Sequence, residues 1–173
     1  MAFTTLFKLQ SNRVGPVGAQ RKVYNFNAPV TTFAGGAKVD VMLLQALFRI
    51  FYYEFIGFGS VDAPPASTGV IKVDGIAGKQ TRIHIQHYQQ LLLKQGLTKT
   101  TDGVMDPFKK QGVLTTHTKV KYQLEILNVD CLLLAFDNGE EAVHQRMIDL
   151  DVHAEEVYPP ALRNALRIVQ VMR

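Results

Sequence analysis

The spacing of apolar residues between Val39 and Ile56 constrains the fold of this chain more than any other feature. These residues recur at steps of three and four, which is the repeat of one buried face of an α-helix. The face comprises Val39, Met42, Leu43, Ala46, Leu47, Ile50, Phe51 and Phe55. Additional apolar surface beside it comes from Val41, Leu44, Phe48 and Tyr52. The pattern therefore predicts a central helix with neighbours on several sides.

Two Asp-Gly turns follow this helix and enclose a second one. Asp74-Gly75 and Gly78 predict the first turn, because glycine tolerates a positive φ and an aspartate side chain accepts hydrogen bonds from nearby N–H groups. Thr81 then falls in the first turn of a second helix. One side of that helix is lined by Ile85, Tyr88 and Leu92. Asp102-Gly103 marks the second turn.

These motifs, taken in order, resemble the peptidoglycan-binding-like domain, a small three-helix module found beside many cell-wall hydrolases. In that family a Leu-Gln pair in the first helix precedes an Asp-Gly turn that opens on a threonine, and a second helix carries an aromatic-Gln pair before a second Asp-Gly turn. The resemblance covers residues 39–106. It implies a mainly α fold with that three-helix core. It gives structural roles to Asp40, Leu44, Gln45, Thr81, Gln89, Asp102 and Gly103.

The resemblance also implies where a peptidoglycan groove would lie. Its residues would be Asp74, Gly75, Gly78, His84 and Tyr88. His84 stands where the family usually has a small alanine, so its bulky ring implies either a locally opened groove or a different neighbour. Gln45 and Gln89 are expected to satisfy backbone groups of the loops at the helix junctions, because buried polar groups need hydrogen-bond partners.

Composition divides the chain into three predicted parts. Residues 1–36 mix glycine and proline with short alternating runs, which predicts an extended N-terminal arm with one or two short strands. Such an arm either folds over the central module or docks on another subunit, and docking is the favoured alternative. Residues 37–111 form the helical module, and residues 112–173 form a C-terminal extension that is mostly helical.

Three helices are predicted in the C-terminal extension. The first runs from about Lys121 to Phe136, although the alternation from Thr115 to Ile126 would also fit a half-buried strand. The second runs from Glu140 to about Leu150, with acidic residues favourably placed in its first turn. The third starts at Pro159-Pro160. Its apolar face comprises Leu162, Ala165, Leu166 and Val169.

Charge and cysteine content narrow the range of partners and compartments. The net charge is +4 and the pI about 9.2, but basic residues form no consecutive block, so nucleic acid is not an expected partner. Cys131, the single cysteine, lies among apolar residues and is expected to be a buried, unreactive thiol. The N-terminal residues lack a signal-peptide pattern, and no apolar run is long enough to span a membrane. We therefore expect synthesis in a bacterial cytoplasm and no membrane partner.

The sequence contains no residue pattern typical of an active site. His84 and His87 have the spacing of a shared metal site on a helix, but no carboxylate or further histidine stands at ligand spacing beside them. No metal and no cofactor is therefore predicted. The segment from Gly75 to Lys79 also lacks the Lys-Ser or Lys-Thr pair of a phosphate-binding loop. An enzyme is not expected.

Three functions are compatible with these features. The favoured one is a non-catalytic structural component of a phage virion (tail, neck or baseplate) or a related injection machine. A phage part is made in the cytoplasm and meets the wall from outside, and its partners would be other subunits, including copies of itself. Residual contact with peptidoglycan is left open. The second is a peptidoglycan-binding module that targets a separate cell-wall hydrolase. The third is a cytoplasmic adaptor that has kept the fold and lost the ligand.

Overall fold

The computed structural model describes residues 1–8, 20–31, 36–54, 63–108, 122–137 and 158–170. In these ranges the fold is mainly α-helical, as predicted, with a small β-component. No helix among them has the length and hydrophobicity that are needed to cross a membrane. The elements are β1 Phe3–Lys8, β2 Gln20–Asn25, β3 Val30–Thr31, α1 Lys38–Arg49, a π-helical turn Ile50–Glu54, a 3-10 turn Ala66–Thr68, α2 Lys79–Lys94, β4 Val104–Met105, α3 Gln123–Asp137 and α4 Pro160–Leu166.

Helix α1 lies at the centre of the core. Every residue from Asp40 to Phe48 is buried, so the helix has neighbours on all sides in this stretch. It contacts β3, α3 and α4. The predicted central helix is therefore confirmed, although its end differs from the prediction. Regular α-helical bonding ends at Arg49, a π-helical turn continues the chain to Glu54, and residues 55 and 56 lie outside the described ranges.

Helix α2 packs one face on this core and confirms the second predicted helix. Its buried residues follow a helical repeat: Thr81, His84, Ile85, Tyr88, Gln89 and Leu92. The helix ends at Lys94, and Gly96, two residues further on, has a φ of 70°. Leu97 N–H donates to Leu92 O (2.9 Å) and Gly96 N–H donates to Leu93 O (3.0 Å), which is the Schellman arrangement that satisfies the last carbonyls of a helix.

The N-terminal strands pack against the same core. β1 and β2 pair antiparallel with Phe3 opposite Asn25, and β3 pairs antiparallel with β4, with Val30 opposite Met105. The N-terminal members of the core cluster are Ala2, Val23, Tyr24, Phe26 and Val30. Short strands in this segment are confirmed. The described residues bury their apolar surface within their own chain, as in the alternative in which the segment folds over the central module, and docking on another subunit stays a prediction.

The C-terminal helices agree with the prediction in part. Helix α3 begins at Gln123, so the helical alternative is confirmed for residues 123–126, while residues 115–121 lie outside the described ranges. Helix α4 begins at Pro160 and buries Leu162, Ala165 and Leu166 as predicted. Val169 was assigned to the same face, but it lies beyond the helix, is 51% exposed, and forms a parallel β-bridge with Thr4. The predicted helix from Glu140 to Leu150 also lies outside the described residues.

Candidate functional site

The side-chain amide of Gln45 joins helix α1 to the first Asp-Gly turn. Its Oε1 accepts hydrogen bonds from the backbone N–H groups of Asp74 (3.0 Å) and Gly75 (2.9 Å). Its Nε2 lies within donating distance of Asp74 Oδ1 (2.9 Å), Ile76 O (3.1 Å) and Thr81 Oγ1 (2.9 Å). One buried amide therefore holds both sides of the turn and the start of α2.

Gln89 in helix α2 makes the corresponding contacts to the second Asp-Gly turn. Its Oε1 accepts from Gly103 N–H (2.8 Å), and its Nε2 lies within donating distance of Asp102 Oδ1 (3.1 Å) and Val104 O (3.0 Å). In both turns the aspartate Oδ1 accepts from the backbone N–H two residues later, at 2.8 Å in the first turn and 3.0 Å in the second. The expectation that Gln45 and Gln89 satisfy loop backbone groups is confirmed by these bonds.

A third buried amide connects the second turn to helix α3. Gln123 Oε1 accepts from Gln89 Nε2 (2.9 Å), and Gln123 Nε2 donates to Thr98 Oγ1 (3.0 Å) and Thr100 O (3.3 Å). A buried polar network of this kind rigidifies a core when each member is satisfied. The second turn is thus fixed from two helices rather than one.

Gly75 meets two requirements that exclude a side chain at this position. Its φ is 77°, a left-handed conformation that L-residues rarely adopt. A Cβ built there would also lie 2.5 Å from Lys38 Cγ and 2.8 Å from Lys38 O. The first turn therefore packs directly on the start of α1, which is why the predicted glycine stands there.

Asp40 and Leu44, two of the motif residues, belong to the interior of α1. Leu44 is 0% exposed and lies in the core cluster. Asp40 is also 0% exposed, and its Oδ2 accepts from the Met1 amine at 3.2 Å. Burial raises the pKa of the Asp40 carboxyl, and the hydrogen bond from the amine and its positive charge partly oppose that shift. Asp40 therefore ties the N-terminal segment to α1.

The π-helical turn places two adjacent tyrosines against the histidines of α2. Tyr52 Oη lies 3.1 Å from His87 Nδ1, and Tyr53 Oη lies 2.8 Å from His84 Nε2. A π turn has i→i+5 hydrogen bonds and is wider than an α turn, so consecutive side chains lie closer to a common side. The local change in helix type explains why both tyrosines face α2.

The hydrogen bonds of His84 define its neutral tautomer. His84 Nδ1 lies 2.8 Å from Gln80 O, and a carbonyl oxygen only accepts, so Nδ1 carries the hydrogen. Nε2 of the neutral ring then accepts from the Tyr53 hydroxyl. That hydroxyl also lies 3.1 Å from Gly69 O, but it has a single hydrogen to donate. The cluster links α2, the π-helical turn and the loop at Gly69.

Burial sets the charge state of this cluster. Burial lowers the pKa of His84, the hydrogen bond to Gln80 opposes the shift, and the nearby His87 adds to it. Burial raises the pKa of Tyr52 and of Tyr88, and the charge of Asp130, to which Tyr88 Oη donates at 3.0 Å, raises the Tyr88 pKa further. Near neutral pH these groups are an uncharged imidazole and protonated phenols. They act as hydrogen-bonding groups that hold elements together.

The five residues of the predicted groove occupy two different environments. Asp74 is exposed, and Gly75 and Gly78 are half-buried in the turn that precedes α2. His84 and Tyr88 are 0% exposed and pack against Phe48 on the inner face of α2. A ligand at the turn would contact its backbone and Asp74, whereas the two rings are buried. Ligand binding by these residues stays a prediction.

The part of the chain that the structure describes contains Cys131 and several potential metal ligands. Within the described ranges, no group of three or more His, Cys, Asp or Glu residues is arranged to hold a metal ion. Cys131 is buried, as predicted, and its Sγ donates to Leu47 O at 3.5 Å. This thiol faces the central helix rather than solvent.

Two amides that hold the β-component, Asn25 and Asn128, were not predicted from the sequence. Asn25 Nδ2 donates to Phe108 O (2.8 Å), and Phe108 N–H lies 3.3 Å from Asn25 Oδ1. Asn128 makes the same pair of bonds with Tyr24, at 2.8 and 2.9 Å. The available signal was an amide with apolar neighbours on both sides, because such an amide, when buried, must find polar partners.

Comparison with known proteins gave no significant match to a family model, a curated protein sequence or a solved structure. The class of the protein is thus defined by its own geometry. It is a mainly α-helical protein in which buried glutamines from two helices each hold an Asp-Gly turn.

Proposed function

We propose that this protein is a non-catalytic structural component of a phage virion or a related injection machine, with a core built on a peptidoglycan-binding-like domain. The repeated junction carries the proposal. Gln45 and Gln89 each hold an Asp-Gly turn through their amide oxygen and nitrogen. The Gln and Asp-Gly motifs on which the resemblance rests therefore share one structural role, because each glutamine holds the Asp-Gly turn that follows it in the sequence.

The environment of the reactive side chains supports a non-catalytic role. His84 is buried and uncharged near neutral pH, Tyr88 keeps its proton, and Cys131 is enclosed by the core. Each of them contacts a neighbouring element, so replacing them would loosen the fold. A subunit that transmits force or closes a ring needs such a fixed shape. In this proposal the protein is made in the bacterial cytoplasm and then incorporated into the virion.

A targeting module for a separate wall hydrolase is the alternative function. The observation that favours it is Ile76, whose side chain is 63% exposed at the first turn, beside the exposed Asp74. An exposed apolar side chain next to a carboxylate offers a contact for a sugar ring or a stem peptide. The exposed part of the predicted groove would then bind the wall.

Pelleting with purified sacculi, run beside mass photometry of the same sample, tests the proposal. An assembly part is expected to form a defined oligomer. In the sacculus assay it should remain in the supernatant, or only a small fraction of it should sediment with the walls. A monomer that pellets with walls would overturn the assembly role and favour the targeting module.

Two matched variants locate any wall contact. Ile76→Glu changes the exposed side chain of the first turn and keeps its backbone bonds, and Leu93→Glu makes the same kind of change at a side chain that is 47% exposed near the other end of α2. The targeting module predicts that Ile76→Glu abolishes pelleting while Leu93→Glu does not. The assembly role predicts that the two variants pellet as weakly as the wild type.

A further inference from the structure

The outer face of helix α2 carries a stripe of basic and amide side chains. We define the basic stripe as Lys79, Arg82, Gln86, Gln90 and Lys94, all of which are exposed. They follow one another at steps of three and four residues, so they lie on one side of the helix. From Lys79 to Lys94 the stripe extends about 22 Å along the helix axis. Helix α2 contains no aspartate or glutamate.

The three cations of the stripe lack a carboxylate partner in the part of the chain that the structure describes. The ion pair found there joins Met1 to Asp40 and includes no residue of α2. The core contacts of α2 are made by its opposite face, through residues such as Ile85 and Tyr88. The stripe is therefore not needed to hold the helix on the core, and its charge is free to meet another surface.

The chain also contains an acidic segment of matching charge. Residues 138–157 include six acidic residues and one arginine, a formal charge of −5, so the other 153 residues carry +9 of the total of +4. The acidic residues are Glu140, Glu141, Asp149, Asp151, Glu155 and Glu156. This segment lies outside the described residues, but its charge is fixed by the sequence. One chain thus contains a basic stripe and an acidic segment of opposite charge.

The acidic segment lies between helices α3 and α4 in the sequence, and both helices have contacts that the structure describes. Helix α3, which precedes the segment, contacts the inner face of α2 through the bond from Tyr88 to Asp130. Tyr158, which follows the segment, is buried before helix α4, and α4 packs against α1 and β1. The basic stripe lies on the exposed face of α2, opposite the buried Tyr88 that contacts α3, which favours a segment from another molecule as its partner.

We propose that the basic stripe of α2 docks the acidic segment 138–157 of a second copy of this chain. The inference rests on the proposed function, in which copies assemble, and it names the contact between them. The stripe and the segment belong to different parts of the chain, so the proposed contact is head-to-tail and generates a ring when the rotation between copies closes. Charge complementarity selects this pairing over contacts between like surfaces.

Charge reversal on each side tests the contact. The stripe variant carries Lys79→Glu, Arg82→Glu and Lys94→Glu, and the segment variant carries Glu140→Lys, Glu141→Lys and Asp149→Lys. Mass photometry is expected to show that each variant alone assembles about tenfold more weakly than the wild type. An equimolar mixture of the two is expected to restore the oligomer, because reversed stripes then meet reversed segments. Raising the salt concentration should weaken the wild-type oligomer.

A control variant of equal charge change lies off the stripe. It carries Lys72→Glu, Lys99→Glu and Arg167→Glu, at three exposed positions. It is expected to assemble like the wild type. If it assembled as weakly as the stripe variant, the change in net charge alone would explain the weakened assembly. Circular dichroism of all the variants verifies that they are folded.

Each contrary outcome overturns a different statement. An oligomer that neither reversal weakens overturns this inference and leaves the proposed function standing. In another outcome, both variants assemble weakly, their mixture does not restore the oligomer, and a single chain that carries both sets of changes does restore it. This result would mean that the segment binds the stripe of its own chain. If the wild-type protein stays monomeric, both this inference and the homo-oligomer of the proposed function are overturned. The wild type is also mixed with a short DNA duplex in a gel-shift assay. If it shifts the duplex and the stripe variant does not, while the oligomer stays intact, the stripe binds nucleic acid and the inference is overturned.

Discussion

The side chain of Asn128 in helix α3 forms hydrogen bonds with both backbone polar atoms of Tyr24 in strand β2. Tyr24 N–H donates to Oδ1 at 2.8 Å, and Nδ2 donates to Tyr24 O at 2.9 Å. Tyr24 lies opposite Thr4, whose N–H donates to Ile168 O (3.1 Å) and whose carbonyl accepts from Gln170 N–H (2.9 Å). The asparagine thus takes the place of a neighbouring strand. It satisfies groups that an edge strand would offer to another chain.

Replacing Asn128 with leucine should open this edge. The change leaves the buried N–H and C=O of Tyr24 without their partners, so we expect a loss of about 2–4 kcal/mol in the free energy of unfolding. Urea denaturation measures the loss, and hydrogen exchange of the Tyr24 amide should become faster. Asn164→Leu, at an exposed position of α4, is the matched control. Unchanged exchange at Tyr24 would contradict the role assigned to Asn128.

Gln45→Glu should destabilise the first junction in a pH-dependent way. The new carboxylate oxygen replaces a donor 2.9 Å from Asp74 Oδ1, so we expect a loss of about 2–4 kcal/mol at pH 7. Burial and Asp74 would raise the pKa of this glutamate in the folded state. The loss should therefore shrink as the pH falls through that raised pKa. Urea denaturation at pH 7 and pH 4.5 measures the difference, with the exposed Gln90→Glu as control. An equal loss at both pH values would disprove this account.

Two glycine substitutions separate backbone strain from steric contact. Gly75 and Gly96 have φ values of 77° and 70°, but they differ in the space around them. A methyl group added at Gly75 would lie 2.5 and 2.8 Å from atoms of Lys38, whereas one added at Gly96 would meet nothing within 4 Å. We expect Gly96→Ala to cost about 1–2 kcal/mol through its φ alone. Gly75→Ala should cost about 1–3 kcal/mol more because Lys38 must move, and Gly75→Val should cost still more. Equal melting temperatures for the two alanine variants would refute the contact.

The buried histidine should make stability depend on pH below neutrality. The pKa of His84 is lowered from 6.5, so between that value and the folded-state pKa the unfolded chain binds more protons. The free energy of unfolding should then be constant above about pH 7.5 and should decrease as the pH falls through 6.5 toward the lowered pKa. Urea midpoints from pH 8 to pH 5 measure this slope. His84→Gln should flatten it, and an unaltered slope would assign the dependence to another group.

The positions of the helices and of the Asp-Gly turns could be predicted because their sequence signals are local. The apolar repeat of α1, the threonine that opens α2 and the two Asp-Gly turns all depend on residues a few positions apart. The end of α1 could not be predicted in the same way. Residues Ile50–Glu54 change to π-helical bonding where Tyr52 and Tyr53 meet the histidines of α2, which are more than thirty residues away in sequence. The change in helix type thus coincides with contacts that a local sequence signal does not specify.

The sequence by itself determined which segments become helices and where the Asp-Gly turns fall, because backbone preference and apolar periodicity act over short distances. It also indicated that Gln45 and Gln89 are structural. Only the tertiary structure decided that the N-terminal strands join the core of their own chain. One of the bonds that hold them joins Tyr24 to Asn128, which is 104 residues away in sequence. Another joins Asn25 to Phe108, at a separation of 83 residues. A buried amide must be satisfied, but its own neighbours in sequence do not specify which distant backbone group satisfies it.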